Sequence, residues 1–155
     1  MIVVRRLRRV SGDTLSSVNR LLGVLTENQL EKSLLLNDVL DCLCSQHSFI
    51  FVAEDTSKEG PERLVGMGLI FFKKTLSHWL AEIHDIAVDE TCQRKGIGTK
   101  LVKALIEKAQ EFAVLKKTNI QLSLTSRPSR KTHDFYYELG FRENETNFYR
   151  MMIAP

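Results

Sequence analysis

Two glycines separated by one residue, in the run Gln93-Arg94-Lys95-Gly96-Ile97-Gly98-Thr99, mark the part of this chain where residue types and spacing best suit chemistry. The run follows an apolar stretch that ends at Val88 and precedes a long amphipathic pattern, the context of a strand-loop-helix junction. Glycine has no side chain, so the oxygens of an anion can reach backbone N–H groups that a helix start leaves unpaired and where the helix dipole favours negative charge. Residues 93–103 add Arg94, Lys95, Lys100 and Lys103, with no acid among them. These features predict a phosphate-binding loop. It is not a Walker loop, whose glycines are separated by four residues, nor the dinucleotide fingerprint, which needs glycine where Leu101 stands.

The elements that must position this loop can be read from hydrophobic period and turn residues. Ile2 to Leu7 reads as a short strand, and Ser11 or Asp13 caps a helix carrying Leu15, Val18, Leu21, Leu22 and Leu25. Thr26 to Gln29 has capping-box spacing and starts a second helix with Leu30, Leu34, Leu35, Val39, Leu40 and Leu43. Phe49–Ala53 and Leu64–Phe72 form a hairpin around the Gly60-Pro61 turn, and Leu80–Val88 is a central strand buried on much of both faces. A helix with Leu101, Leu105, Ala109 and Phe112 follows the loop. Then come a strand at Ile120–Leu124, a helix at Lys131–Leu139 stopped by Gly140, and a last strand at Phe148–Ile153. No linker or repeat divides residues 1–155, which read as one domain.

Composition bounds what the loop can serve. The chain has 22 basic and 19 acidic residues, a net charge of +3, so the four loop cations account for the surplus and no obligate nucleic-acid footprint is left. The longest apolar stretch, Val65 to Phe72, has eight residues where a membrane span needs about 20. Three cysteines without CxxC spacing point away from a disulfide framework and toward a reducing, cytoplasmic setting. On a helix Cys42 and Cys44 lie about 200° apart, which argues against a metal site with His47. Cys92, beside the loop, reads as packing rather than as a reactive thiol. The Arg5 to Arg9 cluster reads as the solvated side of an edge strand or as a contact for an acidic partner. His78 and Trp79 open the central strand, where they can rim a pocket or pack into the core.

The loop Gln93-x-x-Gly96-x-Gly98, preceded by His84-Asp-Ile-Ala-Val88, resembles the Q/R-x-x-G-x-G/A motif of the GNAT acetyltransferase superfamily. Phe135-Tyr136-Tyr137-Glu138-Leu139-Gly140-Phe141 is similar to that family's second signature, and the order of elements matches over essentially the whole chain. The segments Thr125–Arg130 and Glu145–Arg150 resemble a branch of small members. The resemblance implies an α/β (α+β) fold with a central mixed, mostly antiparallel sheet, a splayed central strand pair and flanking helices. It implies acetyl-coenzyme A as donor, no metal, and a primary amine as acceptor, on a small molecule, peptide or protein, with the chain acting as a monomer or homodimer. A second reading from another class is a non-catalytic acyl-CoA binding or sensing module.

Carried over residue by residue, the resemblance puts the pyrophosphate at Gln93, Arg94, Lys95, Gly96, Ile97, Gly98 and Thr99. The pantetheine arm falls at Ile86, Ala87 and Val88, with the Val88 N–H as donor to the thioester oxygen. Tyr136 aligns with the family's tyrosine, a phenol able to protonate the departing thiolate, while Tyr137 lies about 100° of helix away. Glu82 and His84 share one strand face, and both occupy positions that carry bases in different branches, so Glu82, His84 and solvent all remain as acceptors of the amine proton. Asp85 is expected on the opposite face, in a structural role. Ser129 stands where many members have Asn, and its hydroxyl can either contact the cofactor or cap the fourth helix.

Overall fold

A computed structural model of the chain describes residues 1–26, 33–127, 130–145, 149 and 151–153. They belong to two compact units, Met1–Thr125 and Ser126–Pro155. The first unit opens with β1 (Ile2–Arg6), α1 (Gly12–Leu25) and α2 (Leu36–Cys44) and continues through β2 (Ser48–Asp55), β3 (Leu64–Lys74), β4 (Trp79–Val88), α3 (Ile97–Lys116) and β5 (Ile120–Leu124). Strand order is β1-β2-β3-β4-β5, with antiparallel neighbours up to β4 and β5 parallel to β4. This is the mixed, mostly antiparallel α/β architecture expected.

The two faces of the sheet bury different helices because β-strand side chains alternate. On one face Val52, Leu64 and Met67 pack with Val18 and Leu21 of α1 and Val39 of α2. On the other, Ala53 and Val65 pack with Ile97 and Leu101 of α3. Leu101 and Leu105 are completely buried, and each such side chain contributes about 1.5–3 kcal/mol relative to exposure. Trp79 belongs to this second layer: its ring lies 5.1 Å from Phe112, which stacks on Phe72 at 3.9 Å. It is a packing residue.

Local chemistry explains the helix ends. Ser11 is the cap of α1, accepting from the Thr14 N–H at 3.2 Å. The second helix begins later than its leucine period predicts: Leu34 and Leu35 precede α2, and Asp38 Oδ2 accepts from the Leu35 N–H at 2.6 Å. Glu27 to Lys32, most of the expected capping box and Leu30 among them, lie outside the described residues. The arginine cluster is divided. Arg5 pairs with the buried Glu54, which Arg63 also reaches at 3.4 Å, and Arg6 lies 4.4 Å over the Phe49 ring, while Arg8 and Arg9 are exposed.

In the second unit α4 spans His133–Glu138, shorter than expected, with Gly140 beyond its end at φ +95°. Thr132 occupies the N-cap position, and Ser129 lies outside the described residues. The expected last strand is not seen where it can be judged. Tyr149 and Met151 to Ile153 carry no strand, and Phe148 and Arg150 are outside the described residues. Local β-propensity makes a strand only where a ladder partner is in place.

Candidate active site

The site begins with a change of phase in β4. Backbone groups of a strand point alternately to its two edges. The Ser123 hydroxyl of β5 donates to Ala81 O at 3.5 Å, so odd-numbered residues of early β4 face β5 and even-numbered ones face β3. The β3–β4 register runs through Ile70↔Ile83 and Leu69↔His84, then resumes at Met67↔Ala87 and Gly66↔Val88. Asp85 and Ile86 thus oppose Gly68 alone, which is a β-bulge. Asp85 adopts φ +52°, a left-handed conformation that aspartate and asparagine tolerate better than other non-glycine residues.

The extra residue reverses the alternation. Downstream of it the Asp89 N–H donates to Val65 O of β3 at 2.9 Å, so the Val88 peptide groups turn to the other edge. There the register with β5 has already ended, at Ile83↔Leu124. The Val88 carbonyl accepts from Gln93 Nε2 at 3.1 Å, and the β4–β5 register gives the Val88 N–H no ladder partner on that edge. A regular strand would have directed that N–H into the β3 ladder.

The loop supplies the second part. Arg94 takes φ +59° and Gly96 φ +75°, left-handed residues of the kind that build a backbone nest, in which successive N–H groups can face one side. Gly96 is the N-cap of α3 and offers no side-chain oxygen. The first helical N–H with an acceptor is that of Lys100, which donates to Gly96 O at 3.1 Å. Among the described residues the N–H groups of Arg94 to Thr99 have no acceptor. A Cβ on Gly96 would meet nothing within 4 Å, so this position needs glycine for its φ and not for space. Lys95 Nζ donates to Thr91 O at 2.9 Å, and among the described residues none of Arg94, Lys95, Lys100 and Lys103 pairs with a carboxylate. Backbone N–H groups and cations of this kind can hold a polyanion.

Glu82 and His84 do share a face. Glu82 lies 3.5 Å from Lys73 Nζ and 3.4 Å from His84 Nε2, and the His84 ring stacks on Phe71 at 5.1 Å. Asp85 departs from expectation. Periodicity assigns it to the other face, but it sits in the bulge, where the two-residue period no longer fixes a face. Burial first, then Asp85, Asp41 and Asp38, push the Cys42 thiol above its ordinary pKa, so it stays protonated. Cys92 is buried beside Ile97, consistent with a packing role. Among the described residues no group of three or more His, Cys, Asp or Glu could hold a metal ion.

Tyr136 belongs to the second unit. It is half-buried, with Phe135 at 4.9 Å and Phe141 at 6.0 Å between ring centroids. Burial pushes its phenol pKa up, with Arg130 acting in the opposite direction. Tyr137 is exposed, and Arg142 lies 3.9 Å over its ring.

The sequence pattern of the Acetyltransferase (GNAT) family matches residues 18–141, a span that includes the bulged strand, the nest and the Tyr136 segment. The chain belongs to the GNAT acetyltransferase family. Solved structures of acetyltransferases share its fold. A Trypanosoma brucei acetyltransferase is 24% identical, with a TM-score of 0.73 over 98% of this chain and 100% of that one. An aminoglycoside acetyltransferase from an uncultured soil metagenomic sample, in complex with trehalose, is 22% identical, with a TM-score of 0.74 over 98% and 97%. AAC(6')-Iy, in complex with the bisubstrate analogue CoA-S-monomethyl-acetylneamine, is 18% identical, with a TM-score of 0.71 over 99% of each chain. No curated protein matches. No helix among the described residues of this acetyltransferase is long and apolar enough to cross a membrane.

One contact of this GNAT chain has no local signal in its sequence. Arg20 of α1 pairs with Asp89, just after β4, and also donates to Leu64 O at 2.6 Å. Asp89 accepts in turn from the Thr91 hydroxyl at 2.6 Å and the Thr91 N–H at 3.0 Å. Burial would raise the Asp89 pKa, but the Thr91 hydrogen bonds, Arg20 and Lys58 more than offset it, so the carboxyl lies below the ordinary aspartate range. Its contribution to stability is therefore complete above the unfolded-state pKa and lost as pH falls through the folded one. Asp89→Asn is expected to cost on the order of 1–2 kcal/mol at neutral pH and less in acid. Urea unfolding from neutral pH downward checks this, and a cost independent of pH would contradict it.

Proposed function

We propose that this acetyltransferase moves the acetyl group of acetyl-CoA to a primary amine by direct attack in a ternary complex. The observation that carries the reading is the meeting, where the β4–β5 register ends, of a Val88 N–H turned away from the β3 ladder with an uncapped helix start flanked by cations that no carboxylate among the described residues pairs. The nest from Arg94 to Thr99 suits a pyrophosphate, with Gln93 bracing the loop against Val88 O. The backbone of Ile86, Ala87 and Val88 runs along the open edge, where an extended pantetheine arm can bond to it.

The chemistry then follows from the residues. The amine nitrogen attacks the thioester carbonyl, and the Val88 N–H stabilises charge on its oxygen, a role worth about 2.7–4 kcal/mol where measured. As the new C–N bond forms the C–S bond breaks, and Tyr136, a phenol neutral at working pH, supplies the proton to sulfur. The proton released from nitrogen goes to Glu82 or His84, directly or through water. The aminoglycoside acetyltransferase neighbour and the bisubstrate complex make small-molecule amines the first acceptors to test, with peptide amines alongside.

The test is an acceptor screen that follows thiol release from acetyl-CoA. Amine-dependent release supports transfer. Thermal stabilisation by acetyl-CoA without release on any amine would favour an acyl-CoA binding module, and no stabilisation at millimolar ligand would sink both readings. With an acceptor in hand, Glu82→Gln and His84→Gln separate the bases. Loss of the base should lower kcat/KM by about 10²–10⁴-fold and erase the rising limb of its pH profile. If both variants keep that limb, the proton leaves to solvent.

A further inference from the structure

Gly66 of β3 stands opposite Val88, and its φ is one that any residue adopts, so its backbone does not demand glycine. Space does. An ideal Cβ at this position would lie 2.9 Å from Leu101 Cδ1, 3.2 Å from Ala87 O and 3.3 Å from Ile97 Cγ2. Ile97 and Leu101 are buried side chains in the first five residues of α3, the helix whose start bears the unclaimed N–H groups. Ala87 O belongs to the same planar peptide unit as the Val88 N–H, so displacing the oxygen tips the N–H.

We propose that Gly66 is a positioning residue of the acetyl-donor site, setting by its missing side chain the distance between the nest and the Val88 N–H; this rests on the acetyl-CoA reading above. A methyl group there has two ways to be accommodated. Either α3 lifts from the sheet and carries Ile97 to Thr99 with it, or the Ala87–Val88 peptide rotates. Both change the spacing between the amides that would hold pyrophosphate and the N–H that would meet the thioester oxygen. Interiors are close-packed, and Leu101 is completely buried, so the strain cannot be dispersed into empty space. Gly68, two residues on, differs. A Cβ there would be crowded only by Leu105 Cδ1, at 2.9 Å, in the third turn of α3.

The experiment compares Gly66→Ala with Phe112→Leu, a buried truncation about four turns from the start of α3 that lowers stability away from the loop and Val88. Kd for CoA, kcat and KM are measured well below each variant's Tm. Gly66→Ala is expected to lower kcat/KM for acetyl-CoA by about tenfold or more, since misplacement of binding groups is costly, while Phe112→Leu stays within about twofold of wild type. A Gly66→Ala protein that loses stability as Phe112→Leu does but keeps wild-type kcat/KM overturns the proposal. Should Gly66→Ala not fold, the double variant Gly66→Ala/Leu101→Val removes the Cδ1 clash and keeps the contact with Ala87 O. Its kcat should fall about tenfold with CoA affinity retained, and a wild-type kcat overturns the proposal. Failure of the wild-type chain to bind CoA at all would instead overturn the underlying reading, which separates the two outcomes.

Discussion

Tyr136→Phe is expected to lower kcat by about 10²-fold or more when the chemical step limits turnover, with little change in CoA affinity. The substitution removes one oxygen and leaves the ring that packs between Phe135 and Phe141. A thiolate leaving group needs a proton from a group that is neutral at working pH. Any phenol meets that need at working pH, and burial pushes the Tyr136 pKa further above the ordinary tyrosine value of about 10. The sign follows: the phenol is the active form at neutral pH, so any fall in kcat due to its ionisation lies on the alkaline side, beyond the ordinary tyrosine range. Tyr137→Phe is the control. That ring is exposed and keeps its contact with Arg142 as phenylalanine, so turnover should stay within about twofold of wild type. Unchanged kcat in Tyr136→Phe, with chemistry rate-limiting, would make Tyr136 a packing residue.

The second large effect is on binding. Acetyl-CoA at 100 times its Kd should stabilise the wild-type chain by about 2.7 kcal/mol, a rise in Tm of roughly 5–10 °C for a chain of this size. Gly98→Val should abolish that rise. Gly98 is the second residue of α3, among the N–H groups left without acceptors, and a branched side chain there obstructs the approach of a phosphate to them. Valine is a slightly better helix former than glycine, so the unliganded variant should be no less stable than wild type. That separates lost binding from lost folding. A retained Tm shift would place the anion elsewhere. Gly96→Ala makes a different statement, because its φ of +75° adds about 1–2 kcal/mol of backbone strain although no neighbour crowds the site.

Much of this site is visible in one dimension because its chemistry is local. A nest is made by consecutive amides, so Gly96, Gly98 and the cations around them appear together as a short string with no acid. The absence of Ser, Thr, Asp or Asn at the start of α3 is equally local, and it leaves the helix N–H groups for a ligand. Glu82 and His84 share a face because no irregularity separates them, and the two-residue period holds. The same period failed one residue later. Asp85 is an acidic residue in an apolar strand, and its tolerance of positive φ is the one local sign that a bulge sits there. The late start of α2 and the short α4 reflect the weak local definition of helix ends.

The amino-acid sequence by itself determined the family to which the chain belongs, the strand before the glycine loop and the residues proposed for the site, the loop and Tyr136 among them, because each is written in residues close together along the chain. The tertiary structure decided which way the Val88 N–H points, where β5 leaves β4, what Arg20 and Asp89 hold together and why Gly66 has no side chain. Those facts depend on register between strands and on the approach of a helix to a sheet. They join residues up to 69 positions apart, and no pattern read along one strand can contain them.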